Sequence, residues 1–344
     1  MNNKNEYNPV VDVLRIISIL AVIFIHTTTR TIQVSTLNFQ IFPWTLFLNQ
    51  IFRFAAPLFF MISGFVLELN YNLHESYFTY LKKRINRIFI PYVFWSGLYY
   101  FFIYTKQKQN FLQALIAGDA SYQLYFIPAL FIFYLIFPFV HNFYKYLGSK
   151  WITILFCLIE LSLLYYDYYV QPFNLFYPIR VALLNFFVFY AGMVLANNKD
   201  IIISFLRKWR LIFLFGAAIF AFITFYEGQS IYINTHNYLS FYSQWRPIVF
   251  IYTFLLTGCL YYIFDRNIIR ISIIKIFSKL SFFVFFIHVV IINILWDLVG
   301  IKIYSPQLVK NLWWDPLYFI TVTLISFSIA YIVHKIPNLS KLTG

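Results

Sequence analysis

Long apolar runs alternate with short polar stretches from one end of the chain to the other. Runs of about 20 predominantly apolar residues have the length that a transmembrane helix needs. The pattern predicts ten such helices, at about residues 11–29, 48–69, 88–104, 123–140, 151–170, 179–196, 211–226, 246–264, 280–299 and 316–334. No polar stretch between them is long enough to fold separately. We therefore predict a single integral-membrane domain over residues 1–344.

The composition places the chain in the same class. Hydrophobic residues make up 61% of the 344 positions, charged residues make up 11%, and the mean hydropathy is +0.72. Soluble domains have about 45–50% apolar and about 25% charged residues. The predicted fold class is therefore all-α, a polytopic membrane helix bundle of about ten transmembrane helices.

The basic residues are distributed unevenly over the two sides of the predicted bundle. With ten helices, seventeen Lys and Arg residues fall in loops on one side and five on the other. Cytoplasmic loops carry the excess of Lys and Arg, so both termini are predicted to be cytoplasmic. Topology thus accounts for the formal charge of +14. We expect no nucleic-acid partner.

The first apolar segment carries unexpected ionisable residues, Asp12 and Arg15 near one end and His26 well inside. An arginine at the centre of a spanning helix costs about 2.5–3.5 kcal/mol on insertion scales. At about 100° per residue, Arg15 and His26 lie within roughly 20° of the same face and about 16 Å apart along the axis. Histidine is suited to general-base work on a hydroxyl. The structural alternatives are a histidine that hydrogen-bonds a neighbouring helix and an arginine that reaches the interface.

A basic cluster precedes the third segment, with Lys82, Lys83, Arg84 and Arg87 in the predicted cytoplasmic loop 70–87. Topology alone explains the lysines. The two arginines are three residues apart and share a face of a helix, and paired guanidinium groups bind phosphates well. They are the candidate site for a soluble phosphorylated donor that arrives from the cytoplasm.

Other ionisable residues lie in or near the apolar segments. Arg53 is predicted at the outer start of the second helix, Glu160 lies midway along the fifth, and His288 lies deep in the ninth. Each is a functional candidate or half of a structural pair. The largest predicted external loop is 227–245, which includes Glu227. The sequence has no metal-ligand pattern, so we expect no metal and no permanently bound cofactor.

Several of these stretches together resemble the acyltransferase 3 family of bacterial membrane proteins, and most closely its integral-membrane surface-polysaccharide O-acyltransferases. The matching stretches run in order over most of the chain: Asp12-x-Leu14-Arg15 followed by His26, APLFFMISGF at 56–65, KKRINRIFIPY at 82–92, LYFIPALFIFYLIFP at 124–138 and SFFVFFIH at 281–288. The last stretch departs from the family pattern, because Phe283 and Phe285 replace the usual Gly and Tyr.

The resemblance implies ten helices with a cytoplasmic N-terminus in the bacterial plasma membrane. It implies an O-acetyltransferase that moves an acyl group, commonly acetyl from acetyl-CoA, to a hydroxyl of a cell-surface polysaccharide or its lipid-linked precursor. Its partners would be acyl-CoA, that glycan and membrane lipids. The implied site residues are His26 and Arg15 for catalysis and Arg84 and Arg87 for the acyl donor, with Asp12, Arg53, Glu160 and His288 as possible supporting residues.

The sequence leaves open the role of His26 and two alternatives to an enzyme. His26 could act as a general base or accept the acyl group transiently. A second hypothesis is an exporter or flippase for polysaccharide or its lipid precursor, although corresponding Gly/Pro-broken helices, typical of many transporters, are lacking. A third is a non-catalytic receptor or assembly factor, which would need no donor site.

Overall fold

A computed structural model of the chain describes residues 9–37, 43–104, 109–147, 149–235, 241–266, 271–300 and 311–337. The regular secondary structure of these residues is helical, and they contain no strand. The predicted all-α class is therefore confirmed. The chain divides into two compact units, which we call the terminal unit (Asn8–Leu58 with Ile203–Thr343) and the central unit (Phe59–Ile202). The single domain over 1–344 stays a prediction.

The terminal unit is built around its first helix. Its helices are α1 (Pro9–Leu37), α2 (Pro43–Ile51), the start of α3 (Ala55–Leu69), most of α11 (Lys199–Lys208), α12 (Arg210–Thr235), α13 (Pro247–Arg266), α14 (Ile271–Leu295), which continues as a π-helix (Trp296–Gly300), and α15 (Trp314–Lys335). Within this unit α1 packs against α2, α13, α14 and α15. The residues of α1 are therefore the best placed to contact several helices at once.

Local sequence explains where α1 begins. Pro9 is the first helical residue, where its missing N–H costs nothing because that donor has no partner inside a helix. Asp12 lies in the first turn, where a negative charge favours the helix N-terminus. The apolar residues that follow are mostly buried.

The central unit holds the rest of α3 and a run of shorter helices. These are α4 (Tyr77–Arg84), a π-helix (Ile85–Phe89), α5 (Ile90–Leu98), a second π-helix (Tyr99–Ile103), α6 (Phe111–Ala117), α7 (Phe126–Leu147), α8 (Lys150–Tyr165), a third π-helix (Tyr166–Val170), α9 (Tyr177–Leu183) and α10 (Phe186–Asn197). Its helices α3 and α10 cross closely at two glycines. A Cβ added to Gly64 would lie 2.0 Å from the Phe189 carbonyl oxygen, and one added to Gly192 would lie 2.0 Å from the Met61 carbonyl oxygen.

Eight helices in the described residues are long and apolar enough to cross a membrane. A ninth results if the bent pair α9 and α10, which meet at 46°, forms one span. The chain is thus a multi-pass membrane protein, and nine of the ten predicted segments correspond to these spans. Segment 88–104 differs: the chain is helical from Tyr77 to Ile103 and alternates between α and π turns there. The cytoplasmic location of the termini stays a prediction.

Candidate functional site

Three contacts join α1 to α14 in the terminal unit. Arg15 contacts Ser278, His26 contacts His288, and Arg30 contacts Asn293. The offset in residue number is nearly constant, which requires the two helices to run parallel and in register. We call this line of contacts the α1–α14 seam. The prediction that Arg15 and His26 share a face is confirmed, because both meet the same neighbouring helix.

One end of the seam is a compact charged cluster. The Arg15 guanidinium lies 3.0 Å from the Asp12 carboxylate and donates a hydrogen bond to the Ser278 hydroxyl at 2.9 Å. The Ser278 hydroxyl in turn donates to the same carboxylate oxygen at 2.6 Å. Arg15 keeps 29% of its side chain exposed. The cluster thus fixes an arginine while leaving part of it accessible.

Two imidazole rings stack further along the seam. The ring centroids of His26 and His288 are 5.3 Å apart, and the ring planes differ by 28°. His26 is partly buried, whereas His288 is completely buried. Nδ1 of His288 lies 3.0 Å from the Val284 carbonyl oxygen, and its Nε2 is buried with no hydrogen-bond partner among the described residues. The seam therefore holds two stacked imidazole rings, and one of them has a buried nitrogen without a hydrogen-bond partner among the described residues.

A side chain of α2 holds α1 next to His26. The Asn49 amide donates to the Ile25 carbonyl oxygen at 3.2 Å and to the hydroxyls of Thr28 and Thr29 at 3.0 and 3.1 Å. Its own oxygen accepts a hydrogen bond from Arg53. Asn49 therefore couples the backbone before His26 to a buried guanidinium.

The polar layer continues from Arg53 to a buried ion pair. Arg246 has no exposed surface, lies 2.7 Å from the Glu227 carboxylate and donates to the Gln50 side chain. The Gln50 amide donates to the Asn49 oxygen at 3.3 Å. Glu227 was expected in an external loop, but α12 extends past it to Thr235. Its position inside the helix is what brings it to Arg246.

The two candidate donor-binding arginines lie in different environments of the central unit. The Arg84 guanidinium lies 4.2 Å from the centre of the Tyr80 ring and is partly buried, whereas Arg87 is exposed. Burial raises the pKa of the Tyr80 phenol well above its usual range, and the positive Arg84 works against that rise. A π turn begins after Arg84 and has more residues per turn than an α-helix. Arg84 and Arg87 therefore lie on either side of the start of a π-helix, and a shared phosphate site at these two arginines stays a prediction.

Glu160 has a structural explanation in the central unit. One of its carboxylate oxygens accepts a hydrogen bond from the Phe187 backbone N–H at 2.5 Å, in the first turn of α10. The first N–H groups of a helix have no partner inside it, and a carboxylate satisfies them. One oxygen of Glu160 thus caps the N-terminus of α10, while its other oxygen is buried without a hydrogen-bond partner among the described residues. Its proposed supporting role in catalysis gains nothing from this contact.

A second carboxylate in the central unit binds a histidine. Glu68 is 3% exposed and lies 2.8 Å from Nδ1 of His141. Its other oxygen accepts from the Asn197 amide at 2.8 Å. The three residues belong to α3, α7 and α10, so this cluster joins three helices. We call it the Glu68 cluster.

The described residues contain no group of three or more His, Cys, Asp or Glu side chains that could hold a metal ion. Sequence reasoning identified Arg15, His26 and His288 but missed the other polar residues of the seam and its surroundings: Arg30, Asn49, Gln50, Ser278 and Asn293. Uncharged polar residues in apolar segments attract little attention in a sequence. A buried amide nevertheless needs hydrogen-bond partners, so Asn49 and Gln50 could have been predicted to contact other polar groups.

The comparisons with known proteins agree with the family that the motifs suggested. A family model described as an acyltransferase domain matches residues 8–331. A Staphylococcus aureus (strain MRSA252) protein named probable poly-beta-1,6-N-acetyl-D-glucosamine export protein is 25% identical over 216 residues, 58% of this chain and 60% of that protein. The protein of the same name from strain NCTC 8325 is 26% identical over the same shares.

A further relative is named succinoglycan biosynthesis protein ExoH, from Rhizobium meliloti (strain 1021). It is 26% identical over 103 residues, which are 29% of this chain and 28% of that protein. The chain thus spans about 60% of the length of the staphylococcal relatives that it matches. No solved structure matches the chain.

Proposed function

This chain belongs to the acyltransferase 3 family, and we propose that it is a membrane-bound O-acyltransferase. It moves an acyl group, acetyl from acetyl-CoA, to a hydroxyl of a cell-surface polysaccharide or of its lipid-linked precursor. The observation that carries this proposal is the α1–α14 seam, which holds Arg15 at one end and the stacked His26 and His288 further along. Ionisable residues at membrane depth are costly and mark functional sites by default.

In the proposed reaction, the acceptor hydroxyl oxygen attacks the carbonyl carbon of the acyl thioester. His26 takes the hydroxyl proton as general base, the new C–O bond forms, and the C–S bond breaks. The proton then passes from His26 to the leaving thiolate. In a second route, a ring nitrogen of His26 attacks the thioester carbon, the C–S bond breaks and the thiolate leaves. The hydroxyl oxygen then attacks the acyl-imidazole, the C–N bond breaks to restore His26, and the hydroxyl proton passes to the thiolate. Both routes need His26 held in one place, which Asn49 does through the Ile25 carbonyl.

Arg84 and Arg87 are proposed to bind phosphates of the acyl donor. Guanidinium groups bind phosphate oxygens through paired hydrogen bonds. The exposed Arg87 would meet the donor first, and Arg84 is fixed against Tyr80 beforehand. This assignment fits a protein of the bacterial plasma membrane with its N-terminus in the cytoplasm.

Substitution of His26 by Ala, followed by mass spectrometry of the surface polymers, tests the proposal. We expect loss of O-acetyl groups from the glycan while the amount of the variant in the membrane stays normal. Acylation at the wild-type level with normal amounts of the variant would overturn the proposed function. The Asn234→Ala variant, changed at an exposed position of α12, is the matched control.

A second candidate function is export of the polysaccharide or its lipid precursor, which the printed names of the staphylococcal relatives favour. An exporter predicts that loss of the protein leaves the glycan inside the cell with its modification unchanged. An acyltransferase predicts that the glycan still reaches the surface but lacks acyl groups. Surface and intracellular glycan, quantified separately in a deletion strain, therefore separate the two functions.

A further inference from the structure

The hydrogen bonding of His288 defines which of its nitrogens carries a proton. Nδ1 lies 3.0 Å from the Val284 carbonyl oxygen, and a carbonyl oxygen only accepts hydrogen bonds. Nδ1 must therefore be the N–H donor. In the neutral imidazole the other nitrogen, Nε2, then carries a lone pair and acts as an acceptor.

The Nε2 atom of His288 is buried and has no hydrogen-bond partner among the described residues. Buried polar atoms are nearly always hydrogen-bonded, and each exception asks for an explanation. The ring that carries this atom stacks on the ring of His26, the proposed general base, with the two ring centroids 5.3 Å apart. The natural explanation is a substrate group that reaches both rings.

The chemistry of Nε2 restricts that group. An acceptor nitrogen cannot bind the carbonyl oxygen of a thioester, which is also an acceptor, so its partner must carry an O–H or N–H. A single hydroxyl has only one proton to donate, and the proposed reaction commits that proton to His26. The partner of His288 must therefore be a second donor group, and a neighbouring hydroxyl of the acceptor lies next to the hydroxyl that reacts.

We propose that His288 binds a second hydroxyl of the acceptor, next to the one that is acylated, so that the site selects saccharides with adjacent hydroxyl groups. This inference rests on the proposed function and names the acceptor geometry that the site requires. The two neighbouring hydroxyls would each form a hydrogen bond of about 2.8 Å, one to His26 and one to His288. Bonds of that length can bridge two rings whose centroids are 5.3 Å apart. His288 exchanges no proton in the reaction. It orients the sugar so that the reacting hydroxyl faces His26.

Two substitutions separate this role from a structural one. In His288→Asn, the side-chain amide can replace Nδ1 and keep the bond to Val284, but nothing replaces Nε2. In His288→Gln, the longer side chain can place an oxygen acceptor near the position of Nε2. If His288 only stabilises α14, the His288→Asn variant should stay active. If His288 binds substrate through Nε2, the His288→Gln variant should be the more active of the two.

The experiment measures O-acetyl content and its position on the sugar ring in surface glycan, at equal amounts of each variant in the membrane. We expect the content to fall about tenfold or more in His288→Asn, the usual effect of one lost hydrogen bond, and to recover partly in His288→Gln. The acetyl groups that remain in His288→Asn should spread to neighbouring ring positions. A residue with only a structural role would not alter that distribution.

Other outcomes overturn the inference. One is a wild-type glycan in His288→Asn, and another is an equal loss in both variants with unchanged acetyl positions. A third is weaker binding of acetyl-CoA to purified His288→Asn, which would assign Nε2 to an N–H of the donor instead. If His26→Ala abolishes acylation while His288→Asn leaves it intact, the proposed function stands and only this inference fails.

Discussion

Each of the two units contains a histidine with a hydrogen-bonded Nδ1, but His141 is partly buried, His288 is completely buried, and the pairing of the polar atoms around them differs. In the central unit, Glu68 binds Nδ1 of His141 and also accepts from Asn197, so both carboxylate oxygens are used. In the terminal unit, His288 uses Nδ1 on a helix carbonyl and leaves Nε2 buried without a described partner. A satisfied buried cluster adds stability and specificity to a fold, whereas an unsatisfied one reduces stability and persists where function needs it. This contrast supports the proposal that the His26–His288 pair is the active centre and that the Glu68 cluster serves to hold helices together.

Matched glutamine substitutions should separate the two histidine environments most strongly. We expect His26→Gln to lower acyl transfer about 10²–10⁴-fold, the usual contribution of a general base, with little change in thermal stability. His141→Gln should do the reverse, because it weakens the bond to Glu68 but removes no reacting group. Activity per molecule and the unfolding temperature of both purified variants test this. Equal losses of activity in His26→Gln and His141→Gln would contradict the different roles assigned to the two histidines.

The sequence predicted the α1–α14 seam better than its surroundings. Because helical periodicity is regular, the eleven-residue spacing of Arg15 and His26 was enough to place both on one face, and both meet α14. The spacing of Arg84 and Arg87 cannot be read in the same way, because the chain enters a π-helix at Ile85 that the residue pattern did not predict. Local periodicity is readable from sequence only while the helix type stays constant.

Contacts between distant segments were not predictable from the sequence. Glu160 was a functional candidate because a carboxylate in an apolar run is unusual, yet it caps α10 through Phe187, twenty-seven residues away. Asn49 drew no attention, although it makes three hydrogen bonds to α1. A charged residue in an apolar segment shows that a partner is needed but not which residue it is. An uncharged amide gives this signal only once it is known to be buried.

Removal of the Glu68 carboxylate should have the next largest effect, on stability. Glu68→Ala removes the acceptor of the partly buried His141, whereas the exposed Asn197 keeps its bond to the Met193 carbonyl oxygen at 3.2 Å, so we expect a cost of about 0.5–1.5 kcal/mol. Glu68→Gln keeps an acceptor for one of them and should cost less. Thermal unfolding of the detergent-purified variants measures both. A Glu68→Ala protein as stable as the wild type but inactive would make the Glu68 cluster a second functional site.

Asn49 should affect the histidine pair from a distance. Asn49→Ala removes the three bonds that hold α1 around His26, and we expect the rate of acyl transfer to fall about tenfold, the energy of one well-placed hydrogen bond. Thr29→Val removes only one of those bonds and is the matched control. Rates at saturating acyl-CoA test this. A rate equal to that of the wild type in Asn49→Ala would mean that packing alone positions His26.

Ser278 should show the smallest effect, since its partners remain paired without it. In Ser278→Ala the Asp12 carboxylate and the Arg15 guanidinium keep their direct contact at 3.0 Å. Hydrogen bonds between membrane helices contribute about 0.6 kcal/mol on average, so we expect a small fall in the unfolding temperature and acyl transfer close to that of the wild type. Asp12→Asn, measured in parallel, removes the charge and should cost more. If Ser278→Ala abolished acyl transfer instead, the hydroxyl would act on the substrate, and the active centre would extend along the seam to Arg15.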